Sequence, residues 1–142
     1  MPETKTISKS RTKSSTIAHG VGRRKSAVAR VWLKRGKGAL SVNGKEHGAY
    51  FDTTISKKTA YVPFEIYEHA KKYDAQANVQ GGGMRAQADA IKLGIARAFL
   101  AIDETLKPLL RKNELLTVDA RVKERKKYGQ RGARRKFQFV KR

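Results

Sequence analysis

The amino-acid sequence predicts an α+β fold, a small mixed sheet with helices packed on one face, continued by a long extended basic C-terminal tail. Three observations carry that expectation. Apolar residues alternate from Ser26 to Lys34 and again from Tyr73 to Val79, the period of two that marks a half-buried strand. Between Met84 and Ala101 they recur at spacings of three and four, the stripe of an amphipathic helix. From Arg121 onward the apolar pattern ends and cations take over.

In chain order, residues 1–19 read as a disordered basic N-terminal arm. Thr4 to Thr16 are rich in Ser, Thr and Lys, without the apolar core of a signal peptide or the amphipathic pattern of a transit peptide. Residues 20–120 hold the apolar content for one globular α+β domain, and residues 121–142 form the tail. In the first strand Ala27, Ala29, Val31 and Leu33 face one side, and Ser26, Val28, Arg30, Trp32 and Lys34 the other. Arg35 to Gly38 reads as the basic turn of a hairpin returning along Ala39 to Asn43, after which Asn43-Gly44 gives a second turn signal. A helix is expected to begin at Pro63, a residue suited to the first turn. Tyr73, Ala75, Ala77 and Val79 share one face of a third strand that ends at Gly81-Gly82-Gly83. The main helix presents Met84, Ala88, Ile91, Ile95, Ala98, Phe99 and Ile102 to the core. A short helix near Thr105 to Lys112 accommodates Pro108 early in its course.

Charge narrows the function. The chain has 142 residues, with 33 Lys and Arg against 12 Asp and Glu, a formal charge of +21. Residues 1–30 contribute +7, residues 31–120 +4 and residues 121–142 +10, so a balanced body lies between two basic ends. A polyanionic partner is expected, bound largely by counterion release. There is no cysteine, which removes disulfides, thiolate metal sites and thiol nucleophiles and fits a reducing compartment. No segment approaches the roughly 20 apolar residues of a membrane span, so a soluble chain without a membrane partner is expected.

Gly20-Val21-Gly22-Arg23-Arg24-Lys25-Ser26 sets three consecutive cations at the mouth of the first strand, between glycines that let backbone approach a ligand. RNA backbone is the expected ligand of Arg23, Arg24 and Lys25. Gly81 to Gly83 leads into a helix, where N–H groups and Arg85 suit an RNA phosphate, though a tight turn also explains it. The Walker and dinucleotide glycine spacings are absent, which argues against a nucleotide enzyme. His19, His47 and His69 lack the spacing of metal ligands, no nucleophile elbow surrounds a serine, and carboxylates are scattered singly. No catalytic residue, metal, cofactor or small-molecule substrate is therefore expected. In the tail, Arg121, Lys123, Arg125, Lys126, Lys127, Arg131, Arg134, Arg135 and Lys136 are expected to bind RNA, with Tyr128, Phe137 and Phe139 interleaved to stack on bases. Fully extended from Tyr128, the tail reaches on the order of 50 Å. Charge alone equally fits a chromatin-type architectural protein that binds nucleic acid generally.

Motif order separates these readings. The runs GVGRRKSAVARVWL (Gly20 to Leu33), GKGALSVNGK (Gly36 to Lys45), VQGGGMRAQADAIKLGIARAFL (Val79 to Leu100), LLTVDARVKERKKYG (Leu115 to Gly129) and the terminal GARRKFQFVKR resemble the bacterial-type small-subunit ribosomal protein S9 family, the universal uS9 family. The resemblance implies a domain like the second domain of ribosomal protein S5, seated in the head of the small subunit against 16S-type rRNA and other head proteins. It also implies a C-terminal tail that reaches the tRNA in the P site, where Lys141 and Arg142 match the family's terminal Lys-Arg. A bacterial cytoplasmic ribosome is expected, with an organellar one as the alternative. Two departures stand out: Val140 where the family usually has Ser, and Met84-Arg85-Ala86-Gln87 where it often has Leu-Ser-Gly-Gln. Glu46 to Lys72 matches weakly and residues 1–19 match no family pattern.

Overall fold

The structure is a computed structural model that describes residues 16–139. Five strands, β1 (Ala18–Arg24), β2 (Ala27–Arg35), β3 (Leu40–Val42), β4 (Lys45–Glu46) and β5 (Tyr73–Gln80), form one mixed sheet in the spatial order β1-β2-β5-β3-β4. Four helices follow the chain as α1 (His47–Tyr50), α2 (Thr54–Ile66), α3 (Met84–Ile102) and α4 (Lys107–Lys112), with 3-10 turns at Glu68–Lys72 and Glu104–Leu106.

The alternating runs do what their pattern requires. Ala27, Ala29, Val31 and Leu33 of β2 and Ala75, Ala77 and Val79 of β5 are buried, and the register sets Ala29 beside Val79, Val31 beside Ala77 and Leu33 beside Ala75. Helix α3 lies over this apolar face and buries Ala88, Ile91, Ile95, Ala98 and Phe99. Met84 departs from the expected stripe: at the open first turn it is 45% exposed. Helix α2 packs on α3, where Phe64 meets Phe99 edge-on at 5.4 Å and Tyr67 closes on the same ring at 5.1 Å.

Three further expectations are corrected. The chain does not return from β2 along Ala39–Asn43 as a hairpin, because both edges of β2 are occupied, by β1 and by β5. β3 instead pairs with β5 in parallel and with β4 antiparallel. The basic loop is drawn over to β5 by Asp74, whose Oδ1 accepts the backbone N–H groups of Lys37 (2.8 Å), Gly38 (3.0 Å) and Ala39 (2.9 Å). The segment Ala18–Arg24, of which Ala18 and His19 fall in the expected arm and Gly20 onward reads as the mouth of a strand, is itself a strand, joined to β2 by a tight turn at Lys25-Ser26 in which Lys25 adopts φ +53°. Finally, Pro63 does not open a helix. It lies buried near the end of α2, whose inward positions Ser56, Ala60, Pro63 and Phe64 begin well before it. The ring occupies the inner face, and the lost N–H leaves only the carbonyl one turn back without its helical donor.

Helix α4 ends in a Schellman motif. Glu114 N–H donates to Arg111 O (3.0 Å), Leu115 N–H donates to Leu110 O (3.0 Å), and Leu110 and Leu115 are both buried. The position that favours glycine is taken by Glu114 at φ +54°. Beyond it the chain, as far as Phe139, forms neither helix nor strand.

Candidate nucleic-acid interface

The glycines before the basic run serve the interior. A Cβ on Gly22 would lie 1.8 Å from Ala90 O, and one on Gly20 would lie 2.2 Å from Gly94 O, so β1 backbone rests directly on α3 backbone. They bring a strand to a helix, where the sequence suggested an approach to a ligand. The three cations that follow divide by environment. Arg23 and Lys25 are exposed, while Arg24 is drawn inward.

Arg24 holds the root of the tail. Its Nη2 lies 3.0 Å from Asp119 Oδ2, its Nε lies 3.7 Å from Asp89 Oδ2 on α3, and its Nη1 donates to the carbonyls of Arg121 (2.7 Å) and Asp119 (3.3 Å). The side chain keeps only 15% of its surface in solvent, so its charge is engaged within the chain. Asp119 also accepts from Arg121, through the backbone N–H (3.0 Å) and the guanidinium (2.8 Å). Those Arg121 bonds, with the Arg121 and Arg24 charges behind them, hold the Asp119 carboxyl well below the usual carboxylate range. Arg121 itself stays 87% exposed.

The triple glycine is a turn built against the one between β1 and β2. Gly81 and Gly82 adopt φ +72° and +65°, and a Cβ on Gly81 would lie 2.4 Å from Ser26 O. A polar chain secures it: Asn43 Oδ1 accepts Val79 N–H (2.9 Å), Tyr50 Oη donates to Gln87 Oε1 (2.8 Å), and Gln87 Nε2 donates to Gly81 O (3.1 Å). Arg85, on the first turn of α3, is exposed. Contact between the two turns gathers Arg23, Lys25 and Arg85 at one end of the sheet, and Arg24 brings the tail root there too. The sequence offered no sign of this clamp, since Asp89 and Asp119 are distant from Arg24 along the chain and stand in no motif. Asn43 was visible only as a turn residue.

Along the tail Glu124 pairs with Lys127 and with Arg134 (2.8 Å), which pulls its carboxyl below the ordinary range. Lys127 Nζ also donates to Ala133 O (3.1 Å), Arg131 N–H donates to Arg135 O (2.8 Å), and the Arg131 guanidinium lies 5.8 Å from the Phe137 ring centre. Lys123, Arg125, Lys126, Arg135 and Lys136 are exposed and have no ion pair among the described residues. Tyr128 and Phe139 are 94% and 98% exposed. Val140, Lys141 and Arg142 lie outside the described residues.

The three histidines are each set against an aromatic ring: His19 at Trp32, His47 at Tyr61 and His69 at Tyr67. Among the described residues no three His, Cys, Asp or Glu side chains converge as metal ligands, and no helix is long and apolar enough to cross a membrane.

The family model described as ribosomal protein S9/S16 matches residues 22–142. Among curated proteins, the small ribosomal subunit protein uS9 of Cytophaga hutchinsonii is 48% identical, over 89% of this chain and 98% of its own. That of Methylacidiphilum infernorum is 50% identical, over 85% of this chain and 89% of its own. That of Borrelia recurrentis is 45% identical, over 96% of this chain and all of its own.

Proposed function

The chain belongs to the ribosomal protein S9/S16 family, and from that premise we propose that its body binds head-region 16S-type rRNA while its C-terminal tail contacts P-site tRNA during translation. As a member of this family it is a structural constituent of the small ribosomal subunit and not an enzyme. The observation that best supports the finer reading is the row of exposed cations Lys123, Arg125, Lys126, Arg135 and Lys136, strung along an irregular tail whose root is fixed by Arg24. Charges without internal partners are the ones able to displace counterions from a phosphate backbone. Arg23, Lys25 and Arg85, gathered at one end of the sheet, extend the same surface onto the body. Lys141 and Arg142, placed by resemblance at the tail's tip, are the residues assigned to tRNA phosphate. The named relatives come from bacteria, which supports a bacterial ribosome as its setting.

Two measurements test this. Tagged protein in a native lysate should sediment with small subunits at high salt, where loose electrostatic binding is screened. Release to the top of the gradient would instead favour a general nucleic-acid binder. In purified subunits, Arg142→Ala should raise the off-rate of P-site tRNA while subunit assembly stays near normal. An unchanged off-rate would remove the tRNA contact from the proposal.

A further inference from the structure

Among the described residues no helix covers the sheet face opposite α3, and the side chains of that face follow the strand alternation outward. His19, Val21 and Arg23 come from β1, Val28, Arg30, Trp32 and Lys34 from β2, and Gln76, Asn78 and Gln80 from β5. Register makes this a grid: Trp32 stands between His19 and Gln76, and Arg30 between Val21 and Asn78. The His19 ring lies 5.4 Å from Trp32 with the ring planes tilted by 41°, so the imidazole borders the indole at an angle and the indole itself is the flat surface. Two shallow depressions adjoin on this face and share Asn78, one bordered by Val28, Arg30 and Gln80, the other by Trp32 and Gln76. Of the charges on β1, β2 and β5 at this face all but Asp74 are basic, and Glu46 of β4 closes the Trp32 row, through Gln76 and Ser41, at the edge of the sheet. Asp74, the carboxylate at the end of these rows, is turned to the N–H groups of the Lys37–Ala39 loop.

We propose that this open sheet face is a stacking platform for an unpaired RNA base, with Trp32 as the stacking surface, Gln76 and Asn78 at the base edge, and Arg23 and Arg30 on the flanking phosphates. It rests on the rRNA reading above and adds to it a second contact, separate from the tail. The chemistry matches a single strand more closely than a duplex. An indole offers a π-face to a base only when that base is unstacked, and side-chain amides read its exposed edge. A protein partner fits less well, because the aliphatic content of the face is limited to Val21 and Val28 and its charges are mainly basic, which suits a phosphate backbone.

Trp32 is the sole tryptophan of the chain, so its emission reports directly on this face. The full chain is titrated at elevated salt, which weakens the tail's contribution, with an unpaired RNA oligonucleotide, a duplex of equal length and inorganic polyphosphate. Retention of small-subunit RNA is measured separately on a filter. The single strand should quench the indole, and polyphosphate should bind without quenching it. Trp32→Ala should lower single-strand affinity roughly ten-fold, the order expected for one lost stacking contact. Trp32→Phe should recover most of that loss, and Arg30→Gln, which leaves the indole in place, should weaken binding while quenching persists at saturation. Saturable binding with an unquenched indole and an unchanged Trp32→Ala affinity overturns the platform and leaves the tail-based reading intact. A crosslink from this face to a neighbouring protein in reconstituted subunits overturns it in favour of a protein interface. If no variant retains small-subunit RNA on the filter, the broader rRNA reading falls first and the platform with it.

Discussion

At Gly22 the distance between strand and helix leaves no space for a single additional carbon. Its Cβ would meet Ala90 O at 1.8 Å and Gly94 N at 2.6 Å, both backbone atoms that cannot swing aside. Gly22→Ala should therefore push β1 off α3 and destabilise the body by about 3 kcal/mol, as severe overpacking does. Thermal melts of the two proteins measure it, and superimposable curves would refute the close contact. The same glycines explain why β1 was not legible as a strand. Its inward positions are Ala18, Gly20 and Gly22, and two of these show no apolar side chain to reveal the alternation. β2 was legible because Ala27, Ala29, Val31 and Leu33 declare their side in every second letter. Asn43, Tyr50 and Gln87 were opaque for another reason: polar residues far apart in the chain become a network only once the fold has closed.

Among elements, the loop between β2 and β3 depends on one carboxylate. Burial pushes the Asp74 carboxyl up, but the N–H groups of Ala39, Lys37 and Gly38 and the charge of Lys37 pull it below its ordinary value. The unfolded chain thus takes up this proton more readily than the folded one. The stability Asp74 supplies is present above the ordinary carboxylate range and is lost as pH falls through its lower folded value. Asp74→Asn removes that titration, so its melting temperature should fall less steeply with acid than the parent's, measured by melts across acidic pH. Equal slopes would mean that the three N–H bonds contribute nothing that titrates. Asp119 and Glu124, lowered by their own partners, keep some acid sensitivity in the variant. The expected hairpin failed at this loop because nearness in sequence favours antiparallel return, whereas Asp74 rewards a crossing to β5. The expectation at Pro63 fails because a first-turn preference is weaker than the burial of the earlier inward positions Ser56 and Ala60, which fix where α2 runs.

For the molecule as a whole, charge counts alone suggest a balanced body and a basic tail, since that reading needs no knowledge of folding. What charge could not give was the junction, where Arg24 reaches across to Asp119 and Asp89. Replacing Arg125, Lys126, Arg135 and Lys136 together by alanine removes cations that pair with no carboxylate among the described residues and should leave the body's melt unchanged. Its binding to small-subunit RNA should show a salt dependence shallower by about 3 in log–log slope, since each phosphate contact contributes a little under one. An unaltered slope would place the tail's cations off the phosphates. The clamp at Arg24 has a kinetic meaning as well. On the proposed rRNA reading, the tail's search for RNA after the body has seated is intramolecular, at an effective concentration on the order of millimolar, and the clamp fixes the point from which that search starts. Weak individual contacts then suffice, and each can let go and re-form without the protein leaving its place.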